Sequence, residues 1–441
     1  MTDRRRADLV TAFSGIAGIQ ANFDTPMPEA ALDTAWPVTS DSYPNVSQQL
    51  DRILDCSQQD LVAKEVIRRL VKFDFDYDAD PRLMAVHMAY IMGVAAAPTG
   101  TPANEVQTIT STATGGSAKV GVVVGSVTKY TPLLAFNVSA ADLKTALENL
   151  NFIGRGNTTV TLVGGVYTIT FTNNHANDDI PQLVVVGNGT TLTGGTWTPA
   201  TTTPGVQRDH HLTRIAGFQP PAYGAAVGFR TSNKLMKFFK SGVADTFRAT
   251  GSHVQPRVNV NWAMVASGEP ALVSSAYVPP ACQVYRPARF RDTSLVIDGV
   301  DYALTNLLRD FEVTVSNGTI TDDDAYTSQD EDIHRAERAD QRSLVINAGI
   351  LGEHGDVIHA LAESLGEVAV TMRLGRTGNG MIFNIPKGSV SLRDPVLAYD
   401  GTAKRSKVQI AIEPELIPGD ATTPFTVDAM VGISSTLLAV A

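Results

Sequence analysis

The chain is 441 residues long, 43% hydrophobic and 18% charged, with a mean hydropathy close to zero and a formal net charge of -10. That length predicts two or three compact units rather than one. The acidity excludes a protein that holds nucleic acid by neutralising phosphates, although it suits a surface that DNA slides past.

The first elements read clearly. Val71, Phe73, Phe75 and Tyr77 alternate with acids, which predicts a strand over Arg68 to Tyr77. An apolar helix follows from Pro81 to Met92, ending at Gly93. Pro98 to Pro102 then forms a linker, matched by a second from Pro199 to Gly205. Between Thr99 and Val206 four Lys or Arg face five Asp or Glu, so the flanks hold 31 positive and 40 negative charges and nearly all the acidity.

Inside these brackets, Val120 to Val124, Thr158 to Val163 and Tyr167 to Thr172 read as strands, with Gly164 and Gly165 placed for a two-residue hairpin turn. Ser139 is the expected N-cap of a helix, with Asp142 three residues on and Leu143, Ala146, Leu147 and Leu150 as its apolar stripe. The wording from Glu105 to Gln107, Ala140 to Leu150, Gly156 to Val160 and Tyr167 to Phe171 resembles a small β-rich, Ig-like module. That module recurs in phage virion and bacterial surface proteins, and it specifies no chemistry.

Beyond the insert the same order of elements returns. A strand near Ala225 to Phe229, a turn from Lys240 to Asp245 and an alternating strand through Val258, Val260, Trp262 and Met264 complete a first unit. A strand from Phe311 to Gly318 and a polar loop lead into the second unit. This has a strand from Gln341 to Ala348, a helix from Asp356 to Leu365, a strand from Val368 to Leu374, a turn from Lys387 to Leu392, and a strand through Val408, Ile410 and Ile412. The expected division is therefore a discontinuous first copy at 1–98 and 206–290, an insert at 99–205, and a second copy at 291–441. The insert enters where the second copy has only Leu365 to Glu367, and surface loops take long insertions at little entropic cost.

No residues converge into a recognisable active site. Asp74, Asp76, Asp78 and Asp80 have the spacing of a calcium loop, but Ala79 stands where its Gly is needed and Ala85 where its Glu is needed. Their alternation with aromatics places them on the wet face of a strand. Asp322, Asp323, Asp324, Asp330, Glu331 and Asp332 form an acidic loop, read as solvated or as a contact surface. His210 with His211, and His354 with His359, lack metal-site spacing, and His87 reads as a core histidine. Cys56 and Cys282 read as idle thiols. There is no phosphate loop, nucleophile elbow or dinucleotide fingerprint, so no enzyme, cofactor or metal is expected. No apolar run follows Arg4, Arg5 and Arg6, so neither signal peptide nor membrane anchor is expected.

The flanks resemble the tail tube proteins of long-tailed bacteriophages. The likeness is carried by Gly18 to Thr25, Phe73 to Tyr77 with Ile91 to Gly93, Lys240 to Phe247, Ile297 to Asp301 and Phe311 to Gly318. It implies a mainly β fold, a duplicated tail-tube sandwich with flanking helices, whose copies close into rings and stack into a hollow tube. It further implies a structural virion protein, made in the host cytoplasm. Its partners would be itself, as trimeric or hexameric rings, and other tail proteins such as the tape measure and tail terminator, with DNA only in transit. The rival expectations are a tail-end or capsid decoration protein, or a bacterial surface-binding protein. Asp74, Asp76 and Asp78 are then the candidates for the lining of the bore, and the acidic loop of Asp322, Asp323, Asp324, Asp330, Glu331 and Asp332 for a contact between rings.

Overall fold

The computed structural model describes residues 9–13, 32, 34–41, 45–54, 61–92, 99–124, 127–150, 152–172, 175–188, 191–212, 223–229, 237–267, 271–272, 287–303, 307–321, 336–338, 343–351, 367–376, 379–400, 405–415 and 424–431. Gly18 to Thr25, the acids from Asp322 to Asp332, both cysteines, His354, His359 and the helix expected over 356–365 lie outside these residues.

The chain is mainly β. β1 (Asn45–Leu54) and β2 (Leu61–Asp78) pair antiparallel, and α1 (Pro81–Met92) follows. Pro81 opens α1 where its missing N–H costs nothing, and Oδ1 of the Asp80 carboxyl group accepts from the Arg82 N–H at 2.9 Å. Every residue of α1 except Arg82 is buried, which is why the helix is apolar all round.

The insert folds on its own strands. β3 (Val106–Ser111), β4 (Gly115–Val124), α2 (Ala140–Glu148), β5 (Thr158–Val163), β6 (Val166–Phe171) and β7 (Trp197–Thr203) belong to it. One sheet runs β5-β6-β3-β7 and a second is built on β4. Gly164 and Gly165, at φ 57 and 80, turn β5 into β6 with Val163 opposite Val166, the two-residue hairpin expected. Ser139 caps α2 by accepting from the Asp142 N–H at 3.1 Å. Trp197, Tyr167, Ile169, Phe171, Leu143 and Leu147 fill a core that includes no residue of the flanks.

The flanking strands continue with β8 (Tyr223–Phe229), β9 (Lys237–Ser252), β10 (Gln255–Ser267), β11 (Leu308–Ser316), β12 (Ser343–Leu351), β13 (Glu367–Arg376), β14 (Asn379–Asp400), β15 (Arg405–Pro414) and β16 (Thr426–Val431). Their pairing repeats. In the first half the order is β1-β2-β10-β9-β8; in the second it is β11-β12-β15-β14-β13. β9 and β11 pair from Thr246–Ser316 to Ser252–Asp310 and join the halves edge to edge. One core fills the space beneath, with Phe75, Tyr77, Phe247 and Trp262 from the first half, Val313, Ile346, Phe383 and Ile410 from the second, and α1.

Two expected turns are strand instead. Lys240 to Asp245 lies within β9, and Lys387 to Leu392 within β14. Each marks the place where a long strand leaves one sheet for another. β9 pairs with β8 up to Gly242 and with β10 from Ser241 onward. β14 pairs with β13 up to Ser389 and with β15 from Gly388 onward. Gly and Ser favour turns in isolation, but hydrogen bonds on both flanks hold these segments extended.

Candidate functional site

One surface stands out because eight strands build it. In the order β1-β2-β10-β9-β11-β12-β15-β14 they form a continuous antiparallel layer with one apolar and one polar face, whose first edge is made by Asn45 and Val46 of β1 together with Ser40 and Asp41, which pair with Asp76 and Phe75 of β2. Strand alternation produces this division. Phe75 and Tyr77 point inward on β2, Val260 and Trp262 on β10, Phe247 and Ala249 on β9, and Val313 and Val315 on β11. Asp74, Asp76 and Asp78 therefore lie on the polar face, as their spacing predicts, all half-buried.

Register brings that face together. Asp74, Asp76 and Asp78 stand opposite Ala263, Asn261 and Asn259 of β10. The Asn261 amide donates to Asp74 at 2.7 Å and to Asp76 at 2.9 Å. Asp78 is paired with the Arg257 guanidinium. Farther across, Arg248 on β9 donates from Nε to Glu312 on β11 at 2.8 Å, and Asn347 on β12 donates to the other oxygen of Glu312 at 3.2 Å. Lys407 on β15 is paired with Asp310. Three cations of the face are thus each held by a carboxylate, while the exposed Arg393 of β14 lies on the same patch with Asp310, Glu312, Asn347 and Gln409. Such partly exposed pairs add little stability; their effect is to leave these cations neutralised in place.

The sequence located the three acids but not their partners. Asn261, Arg257, Arg248, Glu312, Asp310 and Lys407 become neighbours only through strand register, for which a single chain carries no direct signal. Gly349 faces the same pairing: a Cβ there would sit 2.4 Å from Asp310 Oδ1, so a larger residue would push that carboxylate aside.

The edges of the layer matter as much as its face. Leu61 to Leu70 of β2 pairs with β1 and with no other strand among the described residues, so the hairpin runs beyond the sheet as a two-stranded arm. Ten residues of strand extend about 33 Å, and an isolated hairpin is marginally stable in water.

Three histidines singled out in the sequence lie among the described residues. His87 is fully buried and stacked on Trp262 at 4.0 Å, and burial pushes its ring well below the ordinary histidine range. His210 is buried in the strand Arg208–Leu212, while His211 is paired with Asp428. Among the described residues no group of three or more His, Cys, Asp or Glu could hold a metal ion, and no helix is long and apolar enough to cross a membrane.

No family model and no curated protein matches the chain. Among solved structures it is similar to a chain from Mycobacterium phage Patience, at 14% identity over 51% of this chain and 88% of that one, with a TM-score of 0.17. A likeness at that score carries no argument about fold or function.

Proposed function

We propose that the chain is a structural, non-catalytic virion protein that closes into rings and stacks as the tail tube of a long-tailed phage. The observation that supports this most is the joint between β9 and β11. Within one chain, β9, the last of the four strands that the first half gives to the layer, pairs with β11, the first of the four given by the second. If the units are a duplication, β14 ends the second as β9 ends the first, and β1 opens the first as β11 opens the second. The same joint repeated between β14 of one copy and, in the next, the edge formed by Ser40–Asp41 and the start of β1 makes a heterologous contact that closes into a ring. Exposed edges are hazards in a monomer, and closure removes them.

Strand spacing favours three copies. Twenty-four strands at ~4.8 Å give a circumference of roughly 115 Å and a backbone diameter of about 37 Å before tilt widens it. Six copies double that bore. The polar face then lines the channel, the arm of β1 and β2 reaches a neighbouring copy, and the insert stands outside.

Negative-stain microscopy of the purified protein tests the reading. Rings or hollow tubes with three insert densities per ring are expected. A protein that stays monomeric at high concentration and on virion-derived seeds overturns the tube, and six equivalent insert densities overturn the trimer.

A further inference from the structure

The root of the insert carries a buried node that the body's role does not use. Asp178 lies in the loop after β6 and its side chain is 6% exposed. Both of its oxygens are fully engaged. Oδ1 accepts from Gln207 Nε2 at 3.2 Å and from Asn379 Nδ2 at 2.7 Å. Oδ2 faces Arg376 NH1 at 3.4 Å and His175 Nδ1 at 3.2 Å. Arg376 and Asn379 flank the β13–β14 turn of the body, so this carboxylate ties insert to body. The Arg376 guanidinium also covers the Phe152 ring of the insert at 5.6 Å. Gly205 of the return linker lies so close that a Cβ there would meet the Asp178 carbonyl oxygen at 1.9 Å.

His175 has an unusual demand placed on it. Its ring is buried, and its other nitrogen, Nε2, lies 2.9 Å from the carbonyl oxygen of Phe152. That oxygen can only accept, so Nε2 carries a proton. The Asp178 carboxylate, whose oxygens already accept from Gln207, Asn379 and Arg376, can only accept as well. A neutral imidazole has one N–H and cannot serve both.

We propose that His175 is a proton-dependent fastener: the insert is fixed to the body while the ring carries both protons, and is released from that orientation when one is lost. With Nε2 still bound to Phe152, a neutral ring would turn a lone pair toward Asp178 Oδ2. The groups that face this node are Asp178 and the exposed Asp179 from its own loop, Glu105 of the insert, which accepts from the Ile180 N–H, Arg376 from β13, Asn379 from β14, and Gln207 from the return linker. Beyond Arg376 lie Asp80 and Arg82 at the start of α1, with Arg289, Arg291 and Asp292. Arg376 and Asn379 keep their bonds to Asp178 at higher pH, so the joint loosens rather than separates. The inference is independent of what the body assembles into.

The test uses the full chain with nitrogen-15 in its eight histidines. At pH 6 the His175 ring should show both nitrogens protonated, and one proton should leave as pH rises. Over the same interval amide exchange in residues 176–180, corrected for its intrinsic pH dependence, should accelerate at least about tenfold. His175→Gln cannot donate in both directions, so it should exchange fast at every pH. Asp178→Asn should abolish the pH dependence, and whichever variant folds identifies the His175 signal. A ring with one proton at pH 6, or protection that does not change as the second proton leaves, overturns the proposal.

Discussion

A carboxyl group at the start of α1 shows how burial sets a proton's place. Asp80 is almost wholly enclosed, and burial pushes its pKa from 3.8 to about 8 against the lowering effect of the Arg82 N–H and guanidinium. The folded protein thus keeps a proton that the unfolded chain gives up near pH 4. Stability from this group is full below that value and falls by about 1.4 kcal/mol per pH unit until about pH 8. Asn at position 80 retains an acceptor for the Arg82 N–H and has no charge to bury. Asp80→Asn should therefore match the wild type near pH 4 and exceed it by a few kcal/mol, on the order of one to four, at pH 8. Urea titrations of the monomer at both pH values check this, and a gap that is largest at low pH contradicts it. The sequence showed Asp80 as part of an acidic run. Its different character comes from what closes over it, Ala288, Arg376 and Gln207, all more than a hundred residues away. Asp74, Asp76 and Asp78 could be placed because a strand period is local; the environment of Asp80 is not.

At the scale of elements, local period and capping were legible and sheet membership was not. α1, α2 and the Gly164–Gly165 hairpin follow from residues within a few positions of one another. The segments from Lys240 and Lys387 did not, because their extended form depends on partners in two different sheets. The linkers hold a more useful signal. Thr99 and Asp209 exchange both backbone hydrogen bonds, at 3.0 and 3.1 Å, and Ala103 and Val206 do the same at 3.1 and 3.0 Å. The two ends of the insert therefore run side by side as an antiparallel stalk. Paired Cα atoms in such a rung lie about 5.5 Å apart, so an Asn-Gly turn can replace residues 100–208. The deletion removes nothing from the flanking core but strips Arg376 and Asn379 of Asp178. The shortened chain should fold, with the sheet signal of the flanks intact by circular dichroism, and should still form tubes. Folding without assembly would show that the insert contributes to the contacts between copies.

For the whole molecule, the polar face becomes consequential only on closure. In a monomer it is a solvated surface, and its acids serve solubility. Inside a ring it would surround a polymer with a dense line of negative charge. Three cations on that face are already held by Asp78, Glu312 and Asp310, while Asp74 and Asp76 share the uncharged Asn261. If this face lines a bore, it would offer phosphates few cations besides Arg393 and so let DNA move through it. Asp74→Lys with Asp76→Lys reverses that character and leaves the Asp78–Arg257 pair intact. Virions assembled with this variant should have normal tubes and slowed DNA release. Because each lysine would trade bound counterions for phosphate contacts, raising the salt should restore the rate. Asp74→Asn with Asp76→Asn is the control, expected to release DNA nearly as fast as the wild type. Normal tubes with release unchanged by the lysines would place this face on the outside of the tube.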